Sequence, residues 1–393
     1  MPEGRNLLIC IDGTGNKPES QSISNVVRIA MAAMPVTTDG REQIIHYQRG
    51  VGSSYKLDGL LGGTSGAGIR AAVISAYTFL VTNYRPGDRI FIFGFSRGAF
   101  IARILCGLVD YSGIVRTDGF SGFRLAIAHY FEKHPLPADS PEMVEFRATS
   151  CHPERRIDYV GLFDAVGGWM APNWLSGAPH GYENDALGSA VANARHALSI
   201  DERRIFFVPT VWTKLDTPPP GQTVEQVWFP GVHSDIGGSS PSLGLGNDAL
   251  QWIVAGATTA GAEFNPKMIP EVKLVLGEQT VRRWFRTGYG FKTFAKFFFV
   301  QLGWTLLGTV LRPYALLRNW HYALRIARQV DVPNADSLKI SSTAFVLAAD
   351  PKNKYKPKNL LKLIGQDGTC ALPTEDIPLE DHPALPAPQP VAV

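Results

Sequence analysis

Three residues able to carry out nucleophilic catalysis stand in this chain, each directly after an apolar run. Ser96 lies in GFSRG at residues 94–98, a G-x-S-x-G turn. The run 90–93 before it has the length and β-rich make-up of a buried strand, and 100–109 after it reads as a buried helix. A serine on such a strand-to-helix turn presents its hydroxyl for attack. The flanking glycines let strand and helix approach closely around a strained serine. The turn also sets the hydroxyl at a helix N-terminus, where the dipole and outward N–H groups favour a developing anion. The competing reading is a glycine-rich turn with an incidental serine.

A serine hydroxyl needs a base, and the base needs an orienting carboxylate. Asp164 ends the strand-like run 156–163, and His233 follows the run 224–229. The order Ser96, Asp164, His233 is the order found in α/β-hydrolases. Bland roles stay open for both partners: a turn or cap for Asp164, a buried loop histidine for His233. His196, in a stretch read as helical, is a structural rival. Asp235 is a near neighbour of His233 that could bond backbone instead of a ring. An oxyanion hole needs two N–H donors. One is expected from Arg97, the residue after the serine. The second is expected from the loop Asp12-Gly13-Thr14, with Gly13 and Thr14 as its donors. Asp12 has no triad role; it either caps the loop or holds a metal.

These residues must be positioned by several buried strands. Runs 6–11, 43–48, 90–93, 156–163, 204–211 and 224–229 read as strands, the last as the final core strand. Helices are expected near 24–34 after a Ser/Asn cap, over 69–84, 100–109, 183–199 and 247–260. Residues 110–155 read as mostly helical and peripheral, and 169–182 as a pocket wall or lid. Strands alternating with helices predict an α/β fold with a mostly parallel sheet and helices on both faces. Ligands then sit at the carboxyl ends of the strands, where Asp12, Ser96, Asp164 and His233 all fall.

The 393 residues suffice for a large core, and the net charge of +3 implies no nucleic-acid partner. That charge is unevenly spread. Residues 279–330 carry nine basic residues and no acidic one, so the rest of the chain is net −6. Within this segment, 297–311 is uncharged, fifteen residues against the ~20 needed to cross a bilayer. It reads either as a cap over the active-site edge or as an interfacial segment that meets anionic lipid. The expected organisation is a catalytic core at 1–278, this insertion at 279–330, a return to the core at 331–365 and a proline-rich tail at 366–393. Cys10, Cys106, Cys151 and Cys370 are scattered, with no spacing that suggests zinc. No basic-then-apolar leader is visible, which predicts synthesis for the cytosol and leaves export without a cleaved signal, or membrane association, open.

The motifs IDGTGN at 11–16, the run 83–99, GLFDAVGG at 161–168, ARHALSIDERR at 194–204, WFPGVHSDIGG at 228–238 and YKPKNL at 355–360 together resemble one family. It is the catalytic domain of type VI secretion phospholipase effectors of the Tle type, within the α/β-hydrolase superfamily. The resemblance spans most of residues 5–360. It implies an α/β-hydrolase-like fold with an inserted cap segment, Ser96 as nucleophile, Asp164 as acid and His233 as base. It further implies no cofactor and a lipid or phospholipid acyl ester as substrate. A carboxylesterase on soluble or polymeric esters is the nearest alternative. A metal-dependent phosphoesterase using Asp12, Asp164, His233 and Asp235, and a non-catalytic binding protein, are the others. The oligomeric state is not legible in the sequence.

Overall fold

A computed structural model describes residues 4–14, 16, 23–50, 66–118, 120–132, 135–167, 186–204, 207–215, 217–240, 244–269, 337–349, 357–361 and 372–375. The expected lid at 169–182, the basic segment 279–330 and nearly all of the proline-rich tail lie outside these residues.

The chain first lays down β1 (Asn6–Ile11), α1 (Asn25–Ala32), β2 (Gln43–Gln48), α2 (Gly66–Asn83) and β3 (Arg89–Phe95). Next come α3 (Arg97–Ser112), α4 (Phe120–Phe131), α5 (Pro141–Ser150), β4 (Tyr159–Phe163) and β5 (Asn193–Ser199). It continues with β6 (Thr223–Phe229), α6 (His233–Ile236), α7 (Gly244–Thr259) and β7 (Leu338–Ser341). The last described elements are α8 (Ser342–Ala349), α9 (Lys358–Leu361) and β8 (Thr374–Glu375). The strands form one sheet of order β2-β1-β3-β4-β5-β6-β7-β8, every pair parallel. Strand order reverses between β1 and β3, which opens a crevice at their carboxyl ends.

Parallel strands covered on both faces should be apolar throughout, with successive residues serving opposite cores. Leu7, Ile9, Ile11, Ile90, Ile92, Val160 and Leu162 face the core made with α2 to α5. Leu8, Cys10, Phe91, Phe93, Phe95, Tyr159 and Phe163 face the other, made with α1 and α7. α1 starts at the expected cap, Ser24, whose hydroxyl oxygen accepts from Val27 N. Cys10, Cys106 and Cys151 are buried and unbonded to one another.

Three expected elements differ. The stretch 183–199 holds no helix among its described residues; its end is β5, with His196 on a strand. Ala, Arg and Leu are good helix formers, but intrinsic propensity is a weak determinant, and the slot between β4 and β6 overrides it by ladder bonds on both sides. The described part of 204–211 is not a strand. Pro209 has no N–H for a central ladder, and Thr210 N instead bonds Ala165 O at 2.8 Å. β6 is not the last strand. Residues 338–341 pair with it, and β8 adds Thr374–Glu375 beyond them.

Candidate active site

The turn between β3 and α3 is as tight as its sequence implies. Ser96 has φ 56° and ψ −123°, a left-handed conformation that costs a side-chain-bearing residue about 1–3 kcal/mol. Neighbouring bonds hold it there: Ser96 N donates to Phe163 O at 3.0 Å, and Ser96 O accepts from Phe100 N and Val166 N. A Cβ at position 94 would lie 2.5 Å from Ala99 Cα, and one at 98 would lie 2.2 Å from Ile11 O. Both glycines are thus required by backbone approach. Ser96 is 8% exposed, reachable but shielded.

The turn sets the Ser96 hydroxyl 2.8 Å from Nε2 of His233. Nδ1 of the same ring lies 2.6 Å from Oδ2 of Asp164. A carboxylate can only accept there, so Nδ1 carries the proton and Nε2 is left to accept from the serine. Asp164 is fully buried, also at positive φ (43°), and receives Ser199 N at Oδ1 and the Ser199 hydroxyl at Oδ2, each at 3.1 Å. His233 opens α6 rather than lying in a loop. Its ring packs against Phe95 and Phe207, centroids 4.8 and 4.9 Å away. Burial lowers the His233 pKa below the usual histidine value, although Asp164 pulls it upward. A neutral imidazole at pH 7 is the form that can take a proton.

The segment after β5 supports this arrangement. Asp201 Oδ2 accepts from Gly231 N at 2.8 Å. Glu202 Oε2 accepts from His233 N at 3.4 Å, and the same carboxylate pairs with Arg204 at 2.7 Å. Ser199, Asp201 and Glu202 were not singled out from the sequence. Reading 183–199 as helix hid that SIDERR, like the other candidates, directly follows a strand's end. His196 is buried elsewhere and accepts Ala165 N at 3.0 Å on Nε2, which positions the residue after Asp164. Asp235 Oδ2 accepts Val232 N at 3.0 Å and closes its own turn.

Register places the loop after β1 next to the serine, because Ile11 pairs with Gly94. Gly13 N donates to Asp12 Oδ1 at 2.7 Å. Arg97 begins α3, and its N–H belongs to the first turn, where helical donors point outward. Burial lowers the Arg97 side chain to about 10. Asp12 is fully buried and accepts from Gly13, Asn16, Ser24 and Tyr47. Its two oxygens are therefore occupied by protein donors. Among the described residues no group of three or more His, Cys, Asp or Glu side chains is placed to hold a metal.

A sequence-family model described as "T6SS, Phospholipase effector Tle1-like, catalytic domain" matches residues 5–256, more than half of the chain. The uncharacterized protein YEL023C of Saccharomyces cerevisiae is 30% identical over 239 residues, covering 54% of this chain and 33% of that protein. The chain therefore spans about a third of the length of the curated relative it matches. The crystal structure of an uncharacterized protein from Pseudomonas aeruginosa is similar at 20% identity and TM-score 0.43, over 68% of this chain and 48% of that one. The structure of the Tle1 effector bound to the VgrG spike of the type 6 secretion system gives 20% identity and TM-score 0.34, over 61% and 52%. By its family match the chain belongs to the Tle1-like catalytic-domain family of type VI secretion phospholipase effectors, a hydrolase family, and its parallel sheet is of the α/β-hydrolase kind.

Proposed function

We propose that this protein is a serine esterase that cleaves lipid acyl esters, with Ser96 as nucleophile, His233 as base and Asp164 as orienting acid. The observation that carries the reading is the unbroken chain of hydrogen bonds from Asp164 through His233 to Ser96. In the first step Ser96 Oγ attacks the ester carbonyl and His233 Nε2 takes the hydroxyl proton. Asp164 stabilises the imidazolium that results. The oxyanion meets the N–H of Arg97 and the loop after β1. Collapse breaks the ester C–O bond, and His233 passes its proton to the departing alcohol. Water then attacks the acyl-enzyme by the same route and frees the acid and Ser96.

The phospholipid class of substrate rests on the family description. The basic segment 279–330 suits it, since lysine and arginine beside an uncharged stretch match anionic headgroups. Among the described residues no helix is long and apolar enough to cross a membrane.

The test is hydrolysis of short p-nitrophenyl esters and of phospholipid vesicles, with products identified by mass. Ser96→Ala should lose at least ~10³-fold on both, and excess chelator should leave turnover unchanged. Turnover of p-nitrophenyl esters without release of fatty acid from vesicles would move the substrate to soluble esters. Full activity in Ser96→Ala would end the reading. Vesicle binding that weakens with salt is expected, and no binding at any salt would remove the membrane contact.

A further inference from the structure

The segment after β5 holds a buried carboxylate whose cationic partner stays partly open to solvent. The carboxylate is Glu202, its side chain 4% exposed. Its Oε1 accepts from Arg203 N at 3.0 Å, Arg204 N at 2.9 Å and Arg204 Nε at 2.8 Å. Its Oε2 accepts from Arg204 Nη2 at 2.7 Å and, more distantly, from His233 N. Nε and Nη2 therefore grip Glu202 as a two-pronged fork, the strong form of an arginine–carboxylate pair. That grip uses one edge of the guanidinium. Both hydrogens of Nη1 are left without a protein acceptor among the described residues, and the Arg204 side chain is 34% exposed. With the anion buried and the outer edge of the cation open, an arriving ligand meets positive charge.

This open edge stands beside the His233 ring. The Arg204 guanidinium carbon lies 3.5 Å from the centroid of the Phe207 ring, a cation–π stack. The other contact of Phe207 is His233 itself, 4.9 Å between centroids. Arg204 is thus one aromatic ring away from the imidazole whose Nε2 bonds Ser96. Its charge is felt there: burial does most to lower the His233 pKa, and the Arg204 cation adds to it. Fork and stack together fix the plane of the guanidinium, and Phe207 N closes the turn by donating to Arg204 O at 3.0 Å. The free edge is therefore preorganised, and little side-chain freedom is lost when it binds.

We propose that Arg204 is a specificity-determining residue: its free Nη1 edge binds the phosphate of a glycerophospholipid while the acyl carbonyl lies at Ser96. The role rests on the reading of Ser96 as nucleophile and of a phospholipid as substrate. The glycerol backbone sets the phosphate a short run of bonds from each acyl ester, which suits the gap between Ser96 and Arg204. Planar paired donors match phosphate oxygens. Glu202 is the positioning residue that holds the fork.

The experiment uses the full chain and short-chain substrates kept below the concentration at which they form micelles, so that no lipid surface contributes. It measures kcat/KM on dihexanoylphosphatidylcholine, dihexanoylglycerol and p-nitrophenyl butyrate for wild type, Arg204→Lys and Arg204→Gln. Fluorophosphonate labelling of wild-type Ser96 is checked first. Its failure would reject the serine mechanism, and labelling without turnover of the phosphatidylcholine would reject the phospholipid reading; either removes the role of Arg204 as well. With both present, wild type should prefer the phosphatidylcholine over the diacylglycerol by ~10-fold or more. The ratio of kcat/KM on phosphatidylcholine to that on p-nitrophenyl butyrate should fall ~10- to 10²-fold in Arg204→Gln. It should fall by less in Arg204→Lys, which keeps the charge and loses the fork. A merely structural arginine would lower turnover of every substrate together. An unchanged ratio in both variants, or equal wild-type turnover of the two dihexanoyl lipids, would overturn the proposal. If Arg204→Gln fails to fold, Arg204→Lys and the wild-type comparison decide the point.

Discussion

Gly98→Ala perturbs the candidate site without touching any of its polar groups. The new methyl would stand 2.2 Å from Ile11 O and 2.5 Å from Asp12 O. Both are backbone atoms at the end of β1, whose six residues are fully buried and hydrogen-bonded on both sides. β1 cannot yield, so the first turn of α3 must retreat, by about 1 Å to reach ordinary contact. Ser96 is at the head of that turn, and a shift of this size takes its hydroxyl from 2.8 Å to beyond hydrogen-bond reach of His233. A misplacement of about 1 Å costs on the order of 10²-fold in rate. Overpacking adds a loss of about 1–3 kcal/mol in stability. The assay is the second-order rate of Ser96 labelling by a fluorophosphonate, with thermal melting alongside. Labelling should fall ~10²-fold and the midpoint by a few degrees. Gly221→Ala is the control: no atom lies within 4 Å of its Cβ, so its positive φ alone is perturbed and labelling should hold. Wild-type labelling and melting in Gly98→Ala would refute the view that the glycine sets the turn.

Three further outcomes are expected. Burial lowers the His233 pKa, so the acid limb of kcat/KM should have its midpoint below ~6.5, and a midpoint at or above that value would contradict the assigned base. The same shift has a stability consequence: below ~6.5 the unfolded chain takes up this proton more readily than the folded one, so His233 favours folding above that pH and progressively less as pH falls. Ser199→Ala removes the hydroxyl donor to Asp164 Oδ2 and leaves the N–H to Oδ1. It should lower kcat several-fold and move the acid limb upward, because a less satisfied Asp164 holds the imidazolium more strongly; an unmoved profile would contradict this.

The strands that position Ser96, Asp164 and His233 were legible because each is a short, buried apolar run that ends in a polar residue, in a sheet that collects such ends along one edge. β5 was not. NARHALS has good helix formers and a buried histidine, and only the neighbours on both sides make it a strand. β7 and β8 were hidden because each is short and they join the sheet from a long distance in sequence. The four donors around Asp12 come from β2, the cap of α1 and the loop itself, so no local spacing connects them. The residues behind Asp164 and His233 belong to one motif, ARHALSIDERR, but their roles emerged only once its first half was seen to be a strand.

The central claim is that Ser96 is a nucleophile activated through His233. Incubation with a fluorophosphonate, digestion and mass analysis of the peptide spanning residues 89–103 tests it most directly. One adduct is expected, on Ser96, absent in Ser96→Ala and formed at least ~10³-fold more slowly in His233→Ala. An unlabelled Ser96 in an enzyme that still cleaves esters, or equal labelling in His233→Ala, would contradict it.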